Sequence, residues 1–125
     1  MTSTRHVQVR RVYDEARPRK DGLRVLVDGV WPRGMKKEDA RLDEWDRLIA
    51  PSTELRKWYS HDPDRFGEFA KRYRAELSGQ EAREVLERLR EQAREGTVTL
   101  LTAVKEEQLD YSHAAVLKEE LDGGR

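Results

Sequence analysis

Thr97-Val98-Thr99-Leu100-Leu101-Thr102-Ala103 decides how this chain folds. The segment is β-branched and apolar, too short for a stable helix, and apolar on both faces. Such a run reads as an interior strand. Two earlier segments have comparable character. His6 to Val12 (HVQVRRV) alternates at Val7 and Val9 and, less cleanly, at Val12; Leu23 to Val27 (LRVLV) is largely apolar. Long helical stretches separate Val27 from Thr97. Strands connected through helices pair in parallel through right-handed crossovers. The expectation is a small single α/β domain over residues 1–125, with a short, mostly parallel sheet flanked by several helices. A fourth strand near Ala40–Leu42 is open, as is antiparallel pairing of the first two strands, which ten residues join.

Between the strands, Pro18 and Lys20-Asp21-Gly22 mark a turn, and Asp28 to Lys37 is a loop containing Pro32 and Gly34. Asp43 is suited to cap a short helix with Leu42, Trp45, Leu48 and Ile49 inward, stopped by Pro51. Ser52 or Thr53 caps the next, which carries Leu55, Trp58 and Tyr59. Asp62-Pro63 opens another, with Phe66, Phe69, Ala70, Tyr73 and Leu77 on one stripe. Ser78 with Glu81 reads as a capping box. Ala82, Val85, Leu86, Leu89 and Ala93 then face inward, Glu84 and Arg88 pair outside, and Gly96 ends that helix. Ser112 caps a last helix, buried through Ala115, Val116 and Leu121 or through Ala114, Leu117 and Leu121. The tail Asp122-Gly123-Gly124-Arg125 is expected to fray.

With 125 residues the chain fits one domain, and its 25 Lys+Arg balance 25 Asp+Glu. The absence of cysteine excludes disulfides, thiolate metal sites and cysteine nucleophiles, and fits the cytosol. No apolar run approaches a membrane span, and MTSTRHVQVRR lacks the apolar stretch of a signal peptide. The charge is uneven: residues 1–37 carry 10 − 4 = +6 and residues 38–125 carry 15 − 21 = −6. Eighteen of the 25 cations are arginines, whose planar donors suit phosphate and carboxylate. This is either an anion-binding face or an Arg-rich composition on solvated helices.

Ligands of α/β sheets gather beyond the carboxyl ends of the strands. There the chain places Asp28-Gly29-Val30-Trp31-Pro32-Arg33-Gly34, then Lys105-Glu106-Glu107 and Tyr111-Ser112-His113. Asp28 is a candidate general base, metal ligand or Arg anchor, or else a carboxylate bonded to the turn backbone. Trp31 is suited to stack on a ring or to cover the core edge. Arg33, held between Pro32 and Gly34, suits a bidentate anion contact or a structural ion pair. His113, in the first turn of a helix, suits proton transfer beside an anion or a structural role. Ser52, Thr53 and Arg56, with Trp58, form a second polar wall. His61 reads as a turn residue. The histidine spacing supports no metal site. GxGxxG, GxxxxGK[ST] and GxSxG are all absent, so the cofactor stays unassigned.

Several stretches together resemble a known family: Arg11-Val12-Tyr13-Asp14, Asp21 to Asp28 (DGLRVLVD), Trp31-Pro32-Arg33-Gly34, Ala50 to Lys57 (APSTELRK), Thr99-Leu100-Leu101 and His113 to Leu117 (HAAVL). In order and spacing they are similar to the YeaO-like branch of the bacterial "domain of unknown function 488" family, over about residues 7–121. The resemblance implies a compact cytosolic α/β domain and no particular reaction. By position it marks Arg24, Asp28, Trp31, Arg33, Trp45, Ser52, Thr53, Arg56 and His113, among others. Relatives usually carry Arg where Gly29 stands, and end the third strand differently from Thr102-Ala103-Val104-Lys105.

The leading expectation is a protein that binds or turns over a small anionic or nucleotide-like ligand at the strand ends. Asp28 and His113 would be the acid/base pair, with Arg24, Trp31, Arg33, Ser52, Thr53, Arg56 and Lys105 on the ligand. The alternatives are a nucleic-acid-binding accessory protein, which neutral overall charge disfavours, and a protein–protein module without catalysis. Oligomeric state is not legible.

Overall fold

A computed structural model of the chain describes residues 6–123. Four strands, β1 (His6–Arg11), β2 (Leu23–Leu26), β3 (Glu44–Trp45) and β4 (Thr97–Thr102), form one sheet in the order β1-β4-β2-β3. All three pairings are parallel. Val98 faces Val7 on one side and Leu23 on the other, and Leu100 faces Val9 and Val25. The first two strands therefore never pair with each other, because β4 lies between them.

Among the described residues there are six α-helices, α1 (Pro18–Asp21), α2 (Lys37–Ala40), α3 (Thr53–Tyr59), α4 (Phe66–Leu77) and α5 (Gln80–Glu95) between strands and α6 (His113–Gly123) after β4. Alternation along the strands gives each face of the sheet its own core. Val25, Val27, Val98 and Leu100 join Phe69, Tyr73, Leu86, Leu89 and Leu117 in the larger one. Leu26 and Leu101 join Val12 and Ala40 in the smaller, closed by Trp31, Met35 and Trp45. Burying each such large side chain contributes roughly 1.5–3 kcal/mol. The turn between α1 and β2 requires glycine. Gly22 has φ +60°, and a Cβ there would lie 2.1 Å from the Thr97 carbonyl oxygen.

The expected helix after Asp43 does not form. Asp43 is instead captured by β2: its carboxylate accepts from the Arg24 amide at 2.8 Å, and its own amide donates to the Arg24 carbonyl at 2.9 Å. The chain continues as β3, a few residues beyond Ala40–Leu42, and then as a 3-10 turn over Arg47–Ile49 that leaves Leu48 58% exposed. Ser78 does not open α5. Its hydroxyl donates to the Ala75 carbonyl at 2.6 Å and closes α4, while Gly79 takes the capping position. Arg88 turns from Glu84 to Glu44, at 2.7 Å, and to Asp46, at 3.2 Å. The last helix buries Ala114, Val116, Leu117 and Leu121. It includes Asp122 and Gly123, which were expected to fray; Gly124 and Arg125 lie outside the described residues. No helix among the described residues is long and apolar enough to cross a membrane.

Candidate functional site

Parallel pairing brings the carboxyl ends of β2 and β4 to one edge, as open α/β sheets require of a ligand site. A cavity of about 200 Å³ opens there. Asp28, Arg56, His61 and His113 are its polar lining, Pro51, Tyr59, Phe69, Ala103 and Val104 its apolar wall, and Gly29 and Val30 continue the lining from Asp28.

Asp28 lies two residues beyond Leu26, the end of β2, and its carboxylate crosses to the end of β4. It accepts from the Thr102 hydroxyl and from the Ala103 amide, each at 2.8 Å. Its backbone carbonyl accepts from the Trp45 indole at 2.7 Å, which ties in β3. His113 Nε2 lies 3.0 Å from Asp28 Oδ1 and 3.2 Å from the Val27 carbonyl oxygen. Burial pushes the Asp28 carboxyl up. The hydrogen bond and charge of His113, then the Ala103 amide and Thr102 hydroxyl, outweigh it and hold the group below the usual carboxylate range.

His113 opens α6, whose cap is the Ser112 hydroxyl, accepting from the Ala115 amide at 3.2 Å. The imidazole meets Tyr73 edge-on, with ring centroids 6.1 Å apart. Tyr73 is itself fixed by its hydroxyl on the Ile49 carbonyl. His113 is thus held by the sheet on one side and the α4 aromatic stripe on the other.

Across the cavity, α3 supplies Arg56, an exposed side chain that forms no ion pair with any described residue. The helix ends in two consecutive left-handed residues, Ser60 (φ +50°) and His61 (φ +55°). Neither is glycine, and such positions cost of order 1–3 kcal/mol each. They swing His61 back to the cavity, its ring 6.1 Å from Tyr59. Partial burial lowers the His61 pKa, as do the charges of His113, Arg56 and Lys105, against the opposing pull of Asp28. Burial pushes the Tyr59 hydroxyl up to about 12, and it donates to the Tyr111 carbonyl at 2.5 Å.

The other residues singled out from the sequence lie elsewhere. Arg24 is buried, its guanidinium on Asp21 and on the carbonyls of Ala40, at 2.8 Å, and Arg41, at 3.0 Å. Trp31 belongs to the smaller core, stacked edge-on to Trp45 at 5.4 Å, with its indole donating to the Met35 carbonyl at 2.7 Å. Arg33 is exposed outside the cavity, and its carbonyl accepts from the Tyr13 hydroxyl at 2.8 Å. Ser52 caps α3 on the Leu55 amide at 3.1 Å and donates to Glu76 at 2.6 Å, while Thr53 is exposed beside it. Lys105 is outside the lining, near enough for its charge to reach His61. Among the described residues no group of acidic or histidine side chains is arranged to hold a metal ion.

Sequence reasoning brought Asp28, Arg56 and His113 to one edge but left His61 in a turn. Its signal was the exit from α3. The apolar spacing stops at Tyr59, no glycine follows, and Asp62-Pro63 must start the next turn, so Ser60 and His61 have to reverse the chain.

The family model described as the inactive DUF488-N3 subclade matches residues 6–123. The uncharacterized protein Rv3073c of Mycobacterium tuberculosis strain H37Rv is 46% identical over 123 residues, covering 98% of this chain and 99% of its own. The uncharacterized protein YeaO of Escherichia coli K12 is 44% identical over 112 residues, covering 90% and 93%. No solved structure matches. A family match over nearly the whole chain, with YeaO and the mycobacterial protein as full-length relatives, makes this protein a member of the DUF488 family.

Proposed function

We propose that the protein binds a small anionic ligand in the strand-end cavity, without turning it over. The observation that carries this reading is the convergence of Arg56, His61 and the Asp28–His113 pair on one cavity at the sheet edge where α/β ligands bind. The Asp28 carboxylate has its donors within the fold, so its charge is largely answered there. Arg56 has no carboxylate partner among the described residues and stands free to meet an anion. Lys105 adds a second cation near His61. The apolar wall of Tyr59, Phe69 and Val104 suits the non-ionic part of a ligand. The description of the family branch as inactive supports binding over catalysis.

Titration with inorganic phosphate at low ionic strength, followed by amide and imidazole NMR shifts, tests it. Saturable shifts are expected at Arg56, His61 and Val104, and none at Trp31 or Arg33. Arg56→Ala should weaken binding at least about tenfold, the scale of one charge-assisted contact. Its stability should change by less than about 0.5 kcal/mol, as for other surface substitutions. Shifts that never saturate, or an Arg56→Ala protein that binds as well as the parent, would overturn the reading.

A further inference from the structure

The two nitrogens of His113 are not equivalent. Nε2 faces two acceptors at once, Asp28 Oδ1 at 3.0 Å and the Val27 carbonyl oxygen at 3.2 Å. Two acceptors converging on one ring nitrogen require it to carry the hydrogen. Nδ1 has no partner within the described residues, and it is not among the polar atoms closed off from solvent without one. The His113 side chain is only 11% exposed, and it is a wall of the cavity. The surface it still offers therefore presents Nδ1, which in the neutral ring is a lone pair with no proton.

We infer that Asp28 and the Val27 carbonyl fix His113 as its Nε2–H tautomer, and that Nδ1, as a hydrogen-bond acceptor, makes the cavity select small anions that also carry a hydroxyl or amino donor. This rests on the anion-binding reading and sharpens it to a ligand class. The anion lies toward Arg56 and His61, and the donor group toward His113. Asp28 is a positioning residue here, since its carboxylate is occupied by the Thr102 hydroxyl, the Ala103 amide and the imidazole. A bare anion or an alkyl phosphate leaves Nδ1 without the donor it would otherwise accept from, which is where discrimination against it arises.

Long-range ¹H–¹⁵N correlation of the imidazole at pH 8 reads the tautomer directly in the unligated wild-type protein, with no substitution that risks the fold. The expected pattern is protonated Nε2 and unprotonated Nδ1. A proton on Nδ1, alone or with Nε2, overturns the inference. The ligand class is tested with two esters of matched size, glycerol 3-phosphate and n-propyl phosphate. The glycerol ester should bind about three- to tenfold more tightly, the worth of one net hydrogen bond. In His113→Phe the two should bind alike. Equal binding of both esters to the wild type overturns the selection alone. Failure of both to bind overturns it together with the anion pocket, even where the tautomer is as expected.

Discussion

Asp21 is a fully buried carboxylate and Asp28 a partly buried one, and they differ in their partners. Asp21 is fully enclosed, and three arginines converge on it: Arg10 at 3.0 Å, Arg17 at 3.8 Å and Arg24. Burial pushes its pKa up, but the Arg17 amide and the Arg24 and Arg10 guanidiniums bring it below the ordinary value. Two cations of the first third of the chain, Arg10 and Arg24, are thereby turned inward, and Arg17 is drawn toward them. Asp21→Ala would strand buried guanidinium groups and should cost about 3–5 kcal/mol in urea unfolding. Asp28 has one imidazole and a cavity instead. Across from it, His61 sets a pH dependence. Its folded pKa is lowered, so the unfolded chain binds the proton more readily. Stability from this group is complete above the unfolded histidine range near 6.5 and is lost as pH falls through the lowered folded value. An anion reverses the preference by favouring the charged ring. Sulfate, whose own charge is constant, should therefore bind more tightly as pH drops from 8 toward 5. His61→Gln should flatten that profile, and a profile unchanged by the substitution would remove His61 from the site.

Among the elements, β3 owes its place to capture by the free edge of β2, and its flanking charges carry a strain of their own. Desolvation raises the Asp46 pKa to about 6, and the hydrogen bond and charge of Glu44 add to it, against the pull of Arg88. A carboxyl raised in the folded state contributes most below its unfolded value of 3.8 and is unfavourable once ionised. Asp46→Asn keeps an acceptor for Arg88 without the charge. It should stabilise the protein by about 1 kcal/mol at pH 8, allowing for solvent screening, and by nothing measurable at pH 3.5. Equal effects at both pH values would contradict this. The start of α3 works differently, through a cap. Ser52→Ala removes the acceptor for the Leu55 amide and the donor to Glu76. A loss of about 1 kcal/mol is expected in thermal unfolding.

Across the whole molecule, the strands and long helices were legible because their residues repeat at the period of the structure they form. Val98, Leu100 and Leu101 could only be central, and Phe66 to Leu77 could only be one helical stripe. What the sequence hid was set by contacts between distant segments. Trp45 has the apolar spacing of a helix, yet Asp43 and Asp46 bond to β2 and draw it into a strand. In the site, Asp28 and His113 were legible because they sit at a strand end and a helix start, and Arg56 because it follows the Ser52 cap within α3. Trp31 and Arg33, equally specific by motif, turned away because the smaller sheet face needed Trp31 to close it. His61 depended on the backbone reversal at Ser60 and His61, which shows only in how α3 must end between Tyr59 and Asp62-Pro63 and not in any residue type.

The place of β4 bears on synthesis as well as on stability. It is an interior strand, and it is also the last of the four described strands to be translated, after β1 and β2 whose shared partner it is. Before Thr97 emerges from the ribosome, β1 has no strand to pair with and β2 has only the two-residue β3. Truncation after Gly96 should leave a chain with helical signal and no cooperative unfolding transition. Every sheet contact to β4 closes a loop back across the helical region, the long-range pairing that slows folding. The nascent protein must therefore carry β1 unpaired, and β2 with one edge open, through most of its own translation, and this is the interval in which chaperone capture or aggregation would act on it.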